Sequence, residues 1–226
     1  MPIYEHTATF PFSRETVWNW HARPGAVRRI MPEWEGIRPL EVGGIKDGAV
    51  TTFRMSIGIV PQKWKAKHHS YIEGEQFCDN MIKGPFARWN HTHKFLENGT
   101  DEMKIHDTID WKLPFHFFTR IGAPIMVMPR VNQMFKHRSR RILADLNRQE
   151  MFKDAPRKRI LISGSTGLIG TQLGAFLETD GHDVHRLLRP STKLHADQDP
   201  TKIVKWDDQT GKILEGSLEN FDVVIH

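Results

Sequence analysis

The sequence predicts an α+β part, with an antiparallel sheet and a long helix, followed by an α/β segment. Three observations support this fold class. Short stretches of alternating apolar and polar residues recur between residues 3 and 112, which is the period of half-buried strands. Apolar residues then recur at helical spacing up to residue 150. From Arg159 an apolar run enters a glycine-rich loop and a second helical period, in the order strand, loop, helix.

The first part begins with a strand over residues 3–10. Ser13 is predicted to cap a helix that ends at the Pro24-Gly25 break, and a short second helix follows at 26–31. Strands are then expected over 51–57, 64–71, 76–82, 86–95 and 103–111. Because the links between these strands are too short for helical crossovers, the sheet is predicted to be antiparallel.

A long amphipathic helix is predicted after Pro114, broken near its start by Pro124 and Pro129. The residues that recur at helical spacing along it are Val131, Met134, Phe135, Arg138, Ile142 and Leu146. This spacing predicts that one side of the helix packs on the sheet.

Two of the predicted strands carry polar residues on otherwise apolar faces. Trp89, His91 and His93 share one face of their strand, and Asp107 lies among apolar residues on the next. A buried carboxylate needs a partner, so Asp107 is predicted to pair with His91 or His93 across the hairpin, near a ligand cavity. A purely structural pair and a solvent-exposed face are the alternatives.

The order of these elements, with the patterns Trp89-x-His91-x-His93-x-Phe95 and Asp107-x-x-x-Trp111-x-x-Pro114, resembles the START-like (SRPBCC, polyketide-cyclase-like) ligand-binding family over residues 1–150. The resemblance implies a helix-grip fold, in which the sheet wraps around the long helix and encloses an apolar cavity. It implies a small hydrophobic or amphipathic ligand.

The glycine-rich loop has the spacing of a dinucleotide-binding site. Gly164 would make the tight turn, Gly167 would let backbone N–H groups approach a pyrophosphate, and Gly170 would let the helix pack on the strand. The predicted cofactor-binding residues of this loop are Gly164, Ser165, Thr166, Gly167, Leu168 and Ile169. A glycine-rich turn without a ligand is the alternative.

The end of the following strand indicates which cofactor the loop binds. NAD sites place an acidic residue there to bind the ribose hydroxyl, whereas this chain has Arg189, with Arg186 before it. Because a guanidinium suits a 2′-phosphate, NADP is predicted, with NAD as the less favoured cofactor. A solvated surface arginine is the alternative for Arg189.

The second part resembles the start of an extended short-chain dehydrogenase/reductase of the nucleoside-diphosphate-sugar epimerase type. The residues that carry the resemblance are the glycine loop, Gly181-His182-x-Val184, Arg189, Trp206-Asp207 and 222–226. It implies an NAD(P)-binding, Rossmann-like segment over 158–226, joined to the first part by a linker over 151–157. It also implies a nucleotide-sugar-like substrate.

The resemblance includes a later Tyr-x-x-x-Lys catalytic pair that this chain lacks. Tyr4 is followed four places on by Ala8, and Tyr71 by Glu75. The Rossmann-like segment is therefore expected to be truncated, and no catalytic residue is assigned. Two hypotheses follow: an NADP-dependent epimerase or reductase whose catalytic half lies beyond His226, and a non-enzymatic ligand-binding protein whose dinucleotide segment is cofactor-sensing or vestigial.

Composition narrows the partners and the compartment. The chain of 226 residues has a net charge of +5 and an isoelectric point near 9.4, but its basic residues cluster on one predicted helix and in the linker, so no nucleic-acid partner is expected. No apolar run is long enough to span a bilayer, and the N-terminus lacks a secretory signal. The lone Cys78 is predicted to be a buried apolar residue, and a cytoplasmic location is expected.

The 13 histidines of the chain raise the question of a metal site. His91-x-His93 and His68-His69 are candidate ligands, but no Cys/His spacing of a structural zinc site is present. A three-histidine site would need a ligand from a further strand. The sequence therefore predicts no metal site.

Overall fold

A computed structural model describes residues 3–57, 60–99, 101–114 and 122–226. Its largest element is a seven-stranded antiparallel sheet in the order β1-β7-β6-β5-β4-β3-β2. The strands are β1 Ile3–Phe10, β2 Arg38–Val42, β3 Val50–Ile57, β4 Val60–Ile72, β5 Gln76–Lys83, β6 Arg88–Glu97 and β7 Met103–Lys112. Strands β2 to β7 pair in sequence order, each with the next, and β7 also pairs with β1. The predicted antiparallel meander is confirmed.

The helices lie between β1 and β2 and after β7. They are α1 Arg14–Ala22, α2 Ala26–Ile30, a short 3-10 turn Glu33–Glu35, and the long α3 Gly122–Glu150. Ser13 caps α1 as predicted, because its hydroxyl accepts a hydrogen bond from the Thr16 amide at 3.2 Å. The predicted break in α3 is wrong: the helix runs over both Pro124 and Pro129.

The core of this part lies between α1, α3 and the sheet. Its fully buried large side chains include Phe10, Trp20, Phe95, Met103, Ile105, Ile142 and Leu146. One long helix packed on an antiparallel sheet, with two short helices after the first strand, is the helix-grip arrangement. The prediction for this part of the chain is confirmed.

Strand β2 was missed by the sequence prediction. Pro39 and Glu41 interrupt the alternation that marks the other strands. Proline lacks a backbone N–H, so it is tolerated where a strand has a partner on one side alone, and β2 is an edge strand.

The prediction of a Rossmann-like α/β second part is wrong. Residues 159–225 form a small four-stranded parallel sheet in the order β10-β9-β8-β11, with one helix, α4. The elements are β8 Arg159–Ser163, α4 Leu168–Asp180, β9 Asp183–Leu188, β10 Ile203–Lys205 and β11 Val223–Ile225. A Rossmann domain needs crossover helices on both faces of its sheet. The fold is therefore predominantly a helix grip that carries this small sheet.

The missing crossovers have a local cause. Between β10 and β11, residues 215–220 form a series of turns instead of a helix, and Gly211 and Gly216 adopt φ angles of 69° and 77°. Such left-handed conformations end a helix instead of extending it. The long link from β9 to β10 likewise forms turns without a helix.

The two parts contact each other through α2 and α4. Gly25, which precedes α2 with a φ of 78°, lies so close to α4 that an added Cβ would stand 2.4 Å from the Ala175 carbonyl oxygen. Arg28 of α2 pairs with Asp197 at 2.6 Å. In the described part of the chain, no helix is long and apolar enough to cross a membrane.

Candidate functional site

Five charged or titratable side chains meet between the sheet and α3, and we call them the polar cluster: Asp79, His91, His93, Asp107 and Arg138. The strand register brings four of them together. His93 of β6 lies opposite Asp107 of β7, and His91 lies opposite Asp79 of β5. Directly opposite residues in an antiparallel pair point to the same side of the sheet. Arg138 reaches this side from α3.

His93 lies between the two carboxylates. Its Nδ1 is 2.6 Å from Asp107 Oδ1, and its Nε2 is 3.3 Å from Asp79 Oδ2. His91 has the opposite orientation, with Nδ1 3.4 Å from Asp79 Oδ2 and Nε2 3.3 Å from Asp107 Oδ1. This last pair is close but not aligned for a hydrogen bond, and His91 Nε2 finds no other acceptor in the described part of the chain.

Arg138 supplies the positive charge of the cluster. Its Nη1 donates to Asp107 Oδ1 at 3.2 Å, and its Nη2 lies 3.5 Å from the ring of His21 on α1. Arg138 is 8% exposed and Asp107 2%, so this pair is shielded from water. Buried charges are stable when they are paired and hydrogen-bonded in this way.

The cluster shifts the pKa values of its two carboxyl groups and its two imidazoles. Burial raises the pKa of the Asp107 carboxyl, but Arg138 and then His93 outweigh burial, and the pKa lies well below its ordinary value. Burial also raises the pKa of Asp79, and the two histidines outweigh it, so that this pKa is lowered. Both carboxylates are therefore charged at neutral pH.

The two histidines shift in opposite directions. Burial lowers the pKa of His91, but its two carboxylate neighbours more than offset this and the pKa is raised. Burial and the adjacent His91 lower the pKa of His93. Two neighbouring imidazoles, with ring centroids 3.7 Å apart, do not readily both carry a positive charge.

The sheet face around the cluster divides into three zones. On one side of the cluster, His93 stacks on Phe77 at 4.3 Å, within the main core. On the other side lies a second apolar cluster, built on Ile109, Trp111, Val131 and Phe135. We call the half-buried aromatic rings next to this second cluster the aromatic end: Trp64, Phe86 and Trp89.

The predicted pairing of Asp107 with a histidine is confirmed by its contact with His93. Trp89 lies at the aromatic end, and the cavity role of Trp89, His91, His93 and Asp107 stays a prediction. Asp79 and Arg138 were missed. Asp79 shares one face of β5 with Phe77, and Arg138 lies on the apolar side of α3, so each could have been noticed as a polar residue in an otherwise apolar series.

The glycine loop has the local shape that the sequence predicts. Gly164 has a φ of 60°, and a Cβ on Gly170 would stand 2.3 Å from the Gly164 carbonyl oxygen. Gly167 caps α4 without a side-chain hydrogen bond. Leu168 and Ile169 are exposed. The loop is thus compact, with the first turn of α4 open to solvent.

Contacts from the link between β9 and β10 also hold this loop. Gln198 donates to the carbonyl of the buried Ser165 at 3.1 Å, and the His195 ring lies 3.0 Å from the Thr166 carbonyl. These two residues were missed by the sequence prediction. An adjacent cleft has a volume of about 180 Å³, which is below the usual size of a small-molecule pocket. Arg189 is exposed and forms an ion pair with Asp208 at 3.4 Å.

Comparisons with protein-family models and with curated protein sequences give no match. Among solved structures, a nucleoside-diphosphate sugar epimerase from Corynebacterium glutamicum is similar over 99% of this chain, with 28% identity and a TM-score of 0.76. This chain spans 45% of that protein's length.

Two further structures match 63% of this chain. A protein from Thermus thermophilus matches over 98% of its own length, with 17% identity and a TM-score of 0.50. Norcoclaurine synthase from Thalictrum flavum, in complex with dopamine and hydroxybenzaldehyde, matches over 87% of its length, with 18% identity and a TM-score of 0.49. The Thermus structure supports the fold alone, and the norcoclaurine synthase similarity is too weak for an argument.

Proposed function

We propose that the helix-grip part binds a small amphipathic molecule between α3 and the sheet. The observation that carries this proposal is the position of the polar cluster beside the aromatic end on one sheet face. An apolar ligand body would lie on the aromatic rings, and a polar group would reach the indole N–H of Trp111, Arg138 or the histidines. Binding sites for small molecules combine apolar walls with a few fixed polar groups in this manner.

The aromatic end supports this placement. Trp64 lies 5.1 Å from Trp89, and Phe86 lies 4.8 Å from Trp89, measured between ring centroids. Trp111 is buried beside them, opposite Trp89 on β7, and its Nε1 has no hydrogen-bond partner among the described residues. Because a buried tryptophan N–H normally has a partner, a ligand oxygen beside Trp111 would satisfy it.

A fluorescence titration of the full chain with anilinonaphthalene sulfonate tests the proposal. This probe has an apolar ring system and an anionic head. We expect saturable binding, which Trp111→Phe weakens about 2- to 10-fold because the ligand loses one hydrogen bond. Trp34→Phe is the control, since Trp34 is exposed and belongs to neither the polar cluster nor the aromatic end. The proposal is contradicted if the fluorescence does not saturate, or if Trp111→Phe and Trp34→Phe bind the probe equally well.

A second candidate function is the binding of NADP at the glycine loop. The close approach of Gly170 to Gly164 and the solvent-exposed first turn of α4 favour it, because the first backbone N–H groups of a helix lack intrahelical acceptors and commonly bind a phosphate. The similarity to a nucleoside-diphosphate sugar epimerase also supports nucleotide binding at this loop. An epimerase or reductase activity on a nucleotide sugar would belong to a longer protein of that kind.

Calorimetric titration of the full chain with NADPH and NADH tests this candidate. We expect NADPH to bind at least tenfold more tightly, and Arg189→Ala to remove the difference. Lys193→Ala, in the same link, is the control. If neither nucleotide binds, this candidate function is contradicted. If the wild-type chain binds NADPH and NADH equally, the role of Arg189 is contradicted.

A further inference from the structure

We infer that Asp79, His91 and His93 form a binding site for a divalent metal ion, with zinc as the ion that fits best. The three residues lie on the neighbouring strands β5 and β6, inside the polar cluster. Two imidazoles and one carboxylate are a common ligand set for transition metals. The site does not depend on the amphipathic ligand proposed above.

The separations between the ligand atoms support a tetrahedral ion. Asp79 Oδ2 lies 3.4 Å from His91 Nδ1 and 3.3 Å from His93 Nε2. Ligands held about 2.0–2.1 Å from a tetrahedral zinc ion are about 3.3–3.4 Å from one another, whereas neighbouring octahedral ligands are about 3 Å apart. The three ligand atoms all lie within 4.8 Å of each other, so a rotation of one imidazole completes the site.

Asp107 is placed to orient the ligands without binding the metal. A histidine that binds through Nε2 carries its proton on Nδ1, and Nδ1 of His93 lies 2.6 Å from Asp107 Oδ1. Metal-binding histidines commonly donate this second N–H to a carboxylate, which fixes the tautomer and the ring orientation. Arg138 in turn holds Asp107 at 3.2 Å.

The charges of the cluster also favour a cation. Two buried carboxylates face one guanidinium, so without a metal ion the second carboxylate is balanced by a proton on an imidazole. A divalent ion would supply positive charge where the carboxylate and both imidazoles converge. Three protein ligands leave a fourth position for water or hydroxide, and a bound hydroxide would make the cluster neutral overall.

The sequence predicted no metal because a three-histidine site needed a ligand from a further strand. Asp79 supplies that ligand from the adjacent strand, as a carboxylate. His68, the other histidine candidate, lies opposite Asp79 on β4, but its Nδ1 lies 3.3 Å from the Ala49 carbonyl. The competing explanation is an ion-pair network without a metal, and a binding experiment separates the two.

The full chain is stripped with a chelator and titrated calorimetrically with zinc chloride. We expect one ion per chain, with affinity reduced at least tenfold in Asp79→Asn and in His93→Gln. Asp107→Asn should weaken binding about 10- to 100-fold, since it removes the group that orients His93. The matched controls are His68→Gln on the neighbouring strand and Asp110→Asn on the other face of β7, and both should bind zinc as the wild type does.

Cobalt supplies a readout that is independent of the variants. Cobalt bound to the wild-type chain should give the intense visible absorption of a tetrahedral site, and zinc should displace it. Circular dichroism establishes whether each variant is folded. Where a variant is unfolded, the cobalt spectrum of the wild-type chain tests the metal site without it. A spectrum of hydrated octahedral cobalt, or equal zinc binding by Asp79→Asn, His93→Gln and His68→Gln, overturns the inference.

Discussion

Arg29 of α2 and Asp145 of α3 form a buried ion pair, in which Nε and Nη2 donate to the two carboxylate oxygens at 2.8 and 2.5 Å. Arg29 Nη1 also donates to the Gln172 side chain of α4 at 3.0 Å. A single guanidinium thus joins the long helix of the helix-grip part, the short helix α2 and the helix that follows the glycine loop. Stability of the two parts is therefore expected to be linked.

Asp145→Asn should lower the free energy of unfolding by about 3–5 kcal/mol, because it leaves the buried Arg29 without its counter-charge. Urea unfolding followed by circular dichroism measures this loss. Glu150→Gln is the control, since its pair with Lys153 is exposed and a surface ion pair contributes little to stability. An equal loss in the two variants would show that the buried pair contributes no more to stability than a surface pair.

Two glycines of α4 should respond in opposite ways to alanine. A Cβ on Gly170 would stand 2.3 Å from the Gly164 carbonyl oxygen, so Gly170→Ala must displace the glycine loop and should destabilise the chain by about 1–3 kcal/mol. The nearest atoms to a Cβ on Gly174 are 3.8 Å away. Gly174→Ala should therefore stabilise the helix by up to about 1 kcal/mol.

Thermal unfolding of both variants, compared with the wild type, checks these opposite signs. The two positions lie one turn apart on the same helix, so helix propensity alone predicts the same gain for each. Equal midpoints for the two variants would mean that the contact between Gly170 and Gly164 does not constrain the loop.

The order of elements in the helix-grip part could be predicted because its signals are local. Alternation along β6 and β7, and the cap at Ser13, each depend on residues a few positions apart. Strand β2 escaped because Pro39 and Glu41 hide its alternation. In the second part, the turn at Gly164 follows from a local glycine pattern and could be predicted. The lack of further helices between residues 181 and 226 depends on backbone conformations such as that of Gly216, which the pattern does not indicate.

The polar cluster could be predicted only in part. The pair between Asp107 and His93 follows from the alternating faces of one hairpin. Asp79 belongs to another hairpin and Arg138 to a helix, so their arrival at the same point depends on strand register and helix rotation. Neither quantity can be obtained from a single sequence by periodicity alone.

His21 should make the chain less stable in acid. Burial and the nearby Arg138 lower its pKa to about 3, from an ordinary value of 6.5. His93 also lowers it, while Asp107 and the hydrogen bond to Val17 raise it. The ring is thus neutral in the folded chain but gains a proton in the unfolded chain below about pH 6.5. Its contribution to stability is full above that pH and is lost progressively as the pH falls toward 3.

Urea unfolding of the wild type and of His21→Leu between pH 7 and pH 4 measures this effect. The wild type should lose about 1.4 kcal/mol more per pH unit than the variant below pH 6.5, which is the slope for one proton. His106→Leu, at a half-buried position on the other face of β7, is the control. Parallel pH profiles for the wild type and His21→Leu would show that His21 is protonated in the folded chain.

Two aspartates on β7 separate the role of the polar cluster from that of an ordinary surface pair. Asp107 is 2% exposed and accepts hydrogen bonds from His93 and Arg138, so Asp107→Asn leaves a buried guanidinium without its carboxylate. We expect a loss of about 3–5 kcal/mol in the free energy of unfolding. Asp110 pairs with Arg88 at 2.8 Å near the surface, and Asp110→Asn should cost about 1 kcal/mol or less. Urea unfolding measures both losses, and if Asp107→Asn were as stable as Asp110→Asn, the cluster would contribute nothing to holding α3 on the sheet.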